Sequence, residues 1–155
     1  MAARIPAPSD EAVGRDCRDC VTIVTAVRAW KNGVLMKSHK DLDVWRLSVY
    51  LAQDVYETSE AFPRDEQFGM TSQMRRAAIS IASNIAEGAA RHGQREFSQF
   101  LYIALGSASE LETQFEIARR VGLLAEADFP RLDTLLIRVA QTLRGLIRSV
   151  KVGDG

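Results

Sequence analysis

The side chains of this sequence that are able to do chemistry are two cysteines, two histidines, a few grouped carboxylates and a larger set of arginines. Cys17 and Cys20 form a C-x-x-C pair, the spacing of half a zinc site or of a redox couple. Zinc needs further ligands to complete a tetrahedron, and the only histidines, His39 and His92, lie far along the chain. A thiol–disulfide site needs a strand–helix setting, and nothing around Cys17 reads that way. The two thiols are read as incidental. Neither histidine falls in a motif that places a Ser or Cys nucleophile beside a base, so both are read as surface residues.

The carboxylates Glu87, Glu110 and Glu112 are the ones that invite a metal or acid–base reading. Di-iron bundles use Glu-x-x-His pairs projecting inward, and no Glu in this chain is followed by His at that spacing. Asn84 and Glu87 are three residues apart and share one face of a helix. Glu110 and Glu112 fall on the next helix with Gln114. These residues are read as a polar network between helices or subunits, with Arg75 or Arg76 as counter-charges. Such networks fix register more than they add stability.

The arginines divide into two groups. Arg75, Arg76, Arg91 and Arg95 lie along the second helix and its exit. Arg131, Arg138, Arg144, Arg148 and Lys151 fall on the last helix against one acid, Asp133. The bland reading is a solvated face whose cations suit the helix C-terminus. The sharper one is a phosphate-binding face, multiplied by oligomerisation. Aromatic residues interleaved with these cations, as in single-strand binders, are absent from that face.

These residues sit in a chain of 155 residues with Lys+Arg and Asp+Glu at 20 each, so the formal net charge is zero. A generic polyanion binder carries a basic excess, so any basic surface here is local. No apolar run reaches the roughly 20 residues of a membrane span. The best apolar stretch near the start, Val21 to Val27, follows Arg15, Asp16, Arg18 and Asp19 and is no signal peptide. The expectation is a cytoplasmic protein with no membrane partner. Two cysteines outside the helical region exclude a disulfide framework as the source of its stability.

Helical patterning begins sharply after Met36. Residues 1–35, with Pro6, Pro8, Gly14 and Gly33, carry no sustained period beyond a possible short helix over Cys20–Trp30. They are expected to be a dispensable extension, either a flexible arm or a segment upstream of a natural start at Met36. Residues 36–155 are expected to form a single domain. A first helix is predicted from about Asp41 to Ala61, with Leu42, Trp45, Ala52, Val55 and Tyr56 at helical spacing, stopped by Phe62-Pro63. A second runs from about Thr71 to Glu87. Thr71 or Ser72 is its cap, Met74, Ala78, Ile81 and Ile85 form one face, and Gly88 is its left-handed stop. A third runs from about Gln94 to Val121 on the stripe Phe97, Leu101, Ala104, Ala108, Leu111, Phe115 and Ala118, and Gly122 ends it. Its second stripe, Phe100, Ile103 and Ile117, widens the apolar face. A fourth runs from about Pro130 to Val150 on Leu132, Leu136, Val139, Leu143, Leu146 and Val150. The predicted core comprises Trp45, Met74, Ile81, Ile85, Phe97, Leu101, Leu111, Phe115, Leu136, Val139 and Leu143. Short connections favour an all-α, antiparallel, up-down-up-down four-helix bundle.

One long segment is distinctive: Phe68-Gly-Met-Thr-Ser-Gln-Met-Arg-Arg-Ala-Ala-Ile-Ser-Ile-Ala-Ser-Asn-Ile-Ala-Glu-Gly88. Together with Glu96-Phe97, Phe100-Leu101, Gly106-Ser-Ala-Ser-Glu-Leu-Glu-Thr-Gln114, Trp45, Tyr56 and Phe62-Pro63, it closely resembles the bacterial 23S ribosomal RNA intervening-sequence proteins. The resemblance covers about Lys40 to Val150. It implies a four-helix bundle assembled as a ring-shaped homopentamer, and no biochemical activity. A similar bundle, the accessory variability protein of diversity-generating retroelements, is a pentamer that partners a reverse transcriptase and nucleic acid. That relative is strongly basic, whereas this chain is neutral.

The functional expectation is a non-enzymatic, homo-oligomeric structural or adaptor protein without cofactor, partnered by structured RNA or a nucleic-acid enzyme. The alternative is a scaffold that binds protein alone, and a metal-dependent enzyme in the bundle core ranks behind both. Exposed apolar width on the third helix supports oligomerisation independently, because an uncovered patch containing Phe100 and Ile103 is an aggregation liability.

Overall fold

The computed structural model describes residues 38–91 and 93–151, leaving out the side chain of Lys151. Cys17, Cys20, His92 and the predicted boundary at Met36 lie outside the described residues. Within them the chain is all-α. Four α-helices, α1 (Asp43–Ser59), α2 (Met70–Ala89), α3 (Gln94–Arg120) and α4 (Phe129–Lys151), are joined by loops that include short 3-10 turns at His39–Asp41 and Arg64–Glu66. No strand occurs among the described residues.

Each helix ends for an identifiable local reason. Ahead of α1, the Ser38 hydroxyl accepts from the Lys40 N–H at 3.2 Å and holds His39–Asp41 as a 3-10 turn, so the α-helix starts at Asp43 rather than Asp41. It stops at Ser59, two residues short of the predicted Ala61, and turns into Phe62-Pro63. The start of α2 is capped from outside: the Glu66 carboxylate accepts from the Met70 N–H at 3.0 Å. Thr71 therefore lies inside the first turn, and its hydroxyl is buried without a hydrogen-bond partner instead of capping.

Gly88 does not stop α2. The helix runs on to Ala89, and the only glycine with positive φ among the described residues is Gly122, at 77°. Gly88 serves packing instead. A Cβ placed on it would lie 2.6 Å from Phe100 Cβ and 3.0 Å from Phe97 Cδ2. Gly122 does act as the predicted stop for α3. Leu123 N–H reaches back to the Ala118 carbonyl at 2.9 Å and Gly122 N–H to Arg119 at 3.1 Å, satisfying carbonyls that the helix end leaves open.

The four helices share one hydrophobic core. In it α1 packs on α2 and α4, α2 on α3, and α3 on α4. The seven residues of the α3 heptad stripe, Phe97 to Ala118, are all buried. Met74, Ile81, Ile85, Leu136, Val139 and Leu143 are buried as predicted, and Trp45 is half-buried against the core rather than in it.

The face of α1 matches the predicted one in part: Leu42 and Val55 are buried and Ala52 packs against the core, but the centre of the face lies elsewhere. It buries Val44, Ser48, Leu51, Val55 and Ser59, while Tyr56 is 40% exposed. Two of these are small hydroxyl residues, and their polarity is met locally. Ser48 donates to the Val44 carbonyl at 2.7 Å, and Ser59 donates to the Tyr56 carbonyl at 3.2 Å.

Candidate functional site

The arginines singled out in the sequence have different duties. Arg75, half-buried on α2, donates through Nε to the Ser59 hydroxyl at 2.8 Å, and its guanidinium lies 4.5 Å from the centre of the Tyr56 ring. It is a tie between α1 and α2. Arg131 likewise ties α4 to α1, with 2.6 Å to Asp54 and 3.3 Å to the Thr58 hydroxyl. Arg91 pairs with Glu87 one turn earlier at 2.6 Å, and its guanidinium lies 5.3 Å from the Phe100 ring centre. Arg138 is half-buried.

Arg76, Arg95, Arg144 and Arg148 differ from these. All four are exposed, and they make no ion pair among the described residues. Arg76 borders a shallow groove of about 350 Å³ between α2 and α3, lined also by Gln73, Ala77, Ile79, Ser80 and Glu110. Arg95 lies in the first turn of α3, where the Gly93 cap supplies no side chain. Arg144 and Arg148 lie one turn apart on the outer side of α4.

The four polar candidates do not meet as one network. Asn84 turns to Ser80, donating to its carbonyl at 2.7 Å and its hydroxyl at 3.0 Å. Ser80 in turn meets Ser107 of α3, hydroxyl to hydroxyl, at 2.8 Å. Glu87 is engaged by Arg91. Glu110 accepts from the Gln114 side-chain amide at 2.9 Å; Gln114 is only 8% exposed, and its own oxygen is buried without a partner. Glu112, two residues on from Glu110, points toward α4. There it borders a groove of about 560 Å³ with Thr113, Glu116, Ile117, Arg120, Phe129 and Asp133. The cross-helix polar contact is thus Asn84–Ser80–Ser107. Both serines fall inside the segments that carry the family resemblance, but only the four-residue spacing of Ser80 and Asn84 pointed to a contact.

Sequence reasoning also passed over a charged cluster at the end of α3. Glu116 accepts from Arg119 at 3.1 Å and from Arg120 at 2.6 Å. The two guanidiniums hold its carboxyl well below the ordinary 4.5, at about 2. Arg119 also reaches Glu126 at 3.5 Å and lies 4.9 Å from the Phe129 ring centre, and the carboxylates push its own pKa up. The signal was present as Glu at i with Arg at i+3 and i+4. The cluster clamps the α3–α4 connection.

His39 packs edge-on against Trp45, ring centres 5.0 Å apart. Among the described residues no group of three or more His, Cys, Asp or Glu side chains is placed to hold a metal ion, and no helix is long and apolar enough to cross a membrane.

Apolar side chains remain in water on all four helices, with Val49 of α1 38% exposed. Ile103 and Ile117 of α3 are 51% and 44% exposed, Ile79 of α2 is 44% and Ile137 of α4 is 44%. The second α3 stripe therefore splits. Phe100 is half-covered by Gly88 and Arg91, while its two isoleucines stay open.

Comparison with curated proteins finds no match. Among solved structures, the chain resembles a crystal structure of a protein of unknown function from the S23 ribosomal protein family of Bacteroides thetaiotaomicron. The TM-score is 0.64 at 23% identity, over 68% of this chain and 95% of that one. That likeness speaks for the fold. The family description 23S rRNA-intervening sequence protein names no activity, and its model matches residues 40–145. More than half of the sequence lies within that match, and the chain belongs to the 23S rRNA-intervening sequence protein family.

Proposed function

We propose that this chain is a non-enzymatic, cytoplasmic subunit of a homopentameric ring that acts as a structural adaptor for structured RNA, alone or together with a nucleic-acid enzyme. Each subunit is an antiparallel up-down-up-down bundle. Contacts between helix ends support that topology. Arg75 near the start of α2 reaches Ser59 at the end of α1, Gly88 near the end of α2 meets Phe97 and Phe100 near the start of α3, and Arg119 near the end of α3 stands over Phe129 at the start of α4. The number five rests on the resemblance to the family.

The observation that carries the RNA reading is the set of exposed arginines that make no ion pair among the described residues, Arg95 and Arg148 above all. In an antiparallel bundle these two belong to the same end. A neutral chain repeated around a ring then presents several copies of one local cationic surface, which binds phosphates multivalently without a basic monomer. Binding of the full chain to a structured RNA across a salt series tests this. Affinity is expected to fall steeply with salt. Arg95→Glu or Arg148→Glu is expected to weaken binding across unrelated RNA sequences and to lower the salt slope by about 1. Absence of binding at micromolar protein in low salt would favour a scaffold for protein alone.

A further inference from the structure

We propose that copies of this chain join head to tail, the outer face of α4 in one copy seated on the outer face of α3 in the next, with Arg144 paired to Glu110 and Ile137 resting on Ile103 or Ile117; this rests on the self-association reading above. The most exposed stripe of α3 reads Ile103, Gly106, Glu110, Thr113 and Ile117. That of α4 reads Thr134, Ile137, Gln141, Arg144 and Arg148. Ile103 and Ile117 each stand seven residues from Glu110, and Ile137 stands seven residues from Arg144. Seven residues are two turns, about 10.5 Å along the axis. With Arg144 on Glu110, Ile137 therefore meets an isoleucine whether the two helices run parallel or antiparallel.

The charges are available for this pairing. Glu110 accepts only the neutral Gln114 amide, at 2.9 Å, and Arg144 has no ion pair among the described residues. Between Ile103 and Glu110, Gly106 presents bare backbone, and a Cβ built there meets nothing within 4 Å, so a neighbouring helix has room to approach. An ion pair walled by isoleucines excludes water better than an open one, which strengthens the attraction and fixes the register. The two faces differ, so each copy offers one donor and one acceptor face. Such head-to-tail contacts satisfy every copy when the ring closes. Arg148, one turn beyond Arg144, remains at the rim for RNA.

Charge exchange in the full chain tests the pairing, with mass read by light scattering and helix content by circular dichroism. Arg144→Glu and Glu110→Arg are each expected to drop the assembly to monomer with the helices retained; both side chains are exposed, and Glu110→Arg removes in addition only the acceptor of the Gln114 amide, a local loss that circular dichroism separates from unfolding. The double variant, which restores opposite charges, is expected to recover the wild-type mass. Single variants that keep the wild-type mass would overturn the pairing while leaving self-association standing, and so would a double variant that fails to reassemble. A wild-type chain that is monomeric at every concentration would overturn self-association and the pairing together.

Discussion

Gly88 of α2 lies so close to Phe100 of α3 that a methyl group on the glycine would stand 2.6 Å from the phenylalanine Cβ. The obstructing atom is fixed to the backbone, so relief requires the two helices to part. Helix propensity alone favours alanine over glycine by about 1 kcal/mol. Overpacking of this kind typically costs about 1–3 kcal/mol. Gly88→Ala is therefore expected to lower stability despite its better propensity, shifting Tm down by a few degrees. A melting temperature equal to or above wild type would show that the helices separate at no cost.

The core and the surface are expected to respond in opposite ways to truncation. Leu101 is fully buried on the α3 stripe, and Leu101→Ala is expected to cost about 2–5 kcal/mol in denaturant titrations. Phe68, in the loop before α2, is 89% exposed, and Phe68→Ala is expected to change stability by no more than about 0.5 kcal/mol. A large loss at Phe68 would mean that a partner surface covers it in the folded assembly.

The helices differ in how much of their packing the sequence discloses. The α3 stripe was legible because seven apolar residues alternate steps of four and three, and all seven are buried. On α1 only part of the face is legible: Leu42 and Val55 are buried as their spacing implies, but Trp45 and Tyr56 are large without being central, while the buried positions include Ser48 and Ser59, whose hydroxyls are satisfied by their own helix. Gly88 reads as a stop because chain termination and close packing call for the same residue type. The individual arginines were visible, but their division into ties and free cations was not. Arg75 and Arg76 are adjacent in sequence, and only the approach of α1 makes one of them structural.

Acid is expected to loosen the α3–α4 connection through Glu116. Its carboxyl is held at about 2 against an ordinary 4.5, so the folded state favours the ionised form. The resulting stabilisation is complete above pH 4.5 and is lost as pH falls from 4.5 toward 2. The side chain is 35% exposed, so solvent and salt screen the effect and it is small. Glu116→Gln is expected to flatten the stability profile in that window and leave it unchanged near neutrality apart from a constant offset. Carboxyl titration by NMR with a midpoint near 4.5 would contradict this.

A chain beginning at Met36 is expected to keep the helix content and the assembly of the full chain, because the helical period and the buried stripes all follow that residue. Parallel circular dichroism and light scattering measurements on the two lengths check it. Loss of the native mass in the shorter chain would assign a structural role to residues 1–35.

A protein that works as a ring of identical bundles must show that ring in the mass of the full chain in solution. Sedimentation equilibrium over a wide range of concentration is expected to give five times the 17.2 kDa chain mass, with little dissociation on dilution. A dimer would retain a self-association surface and remove the ring. A single species at 17.2 kDa, persisting to high concentration, would rule out the ring and every other self-association of the chain.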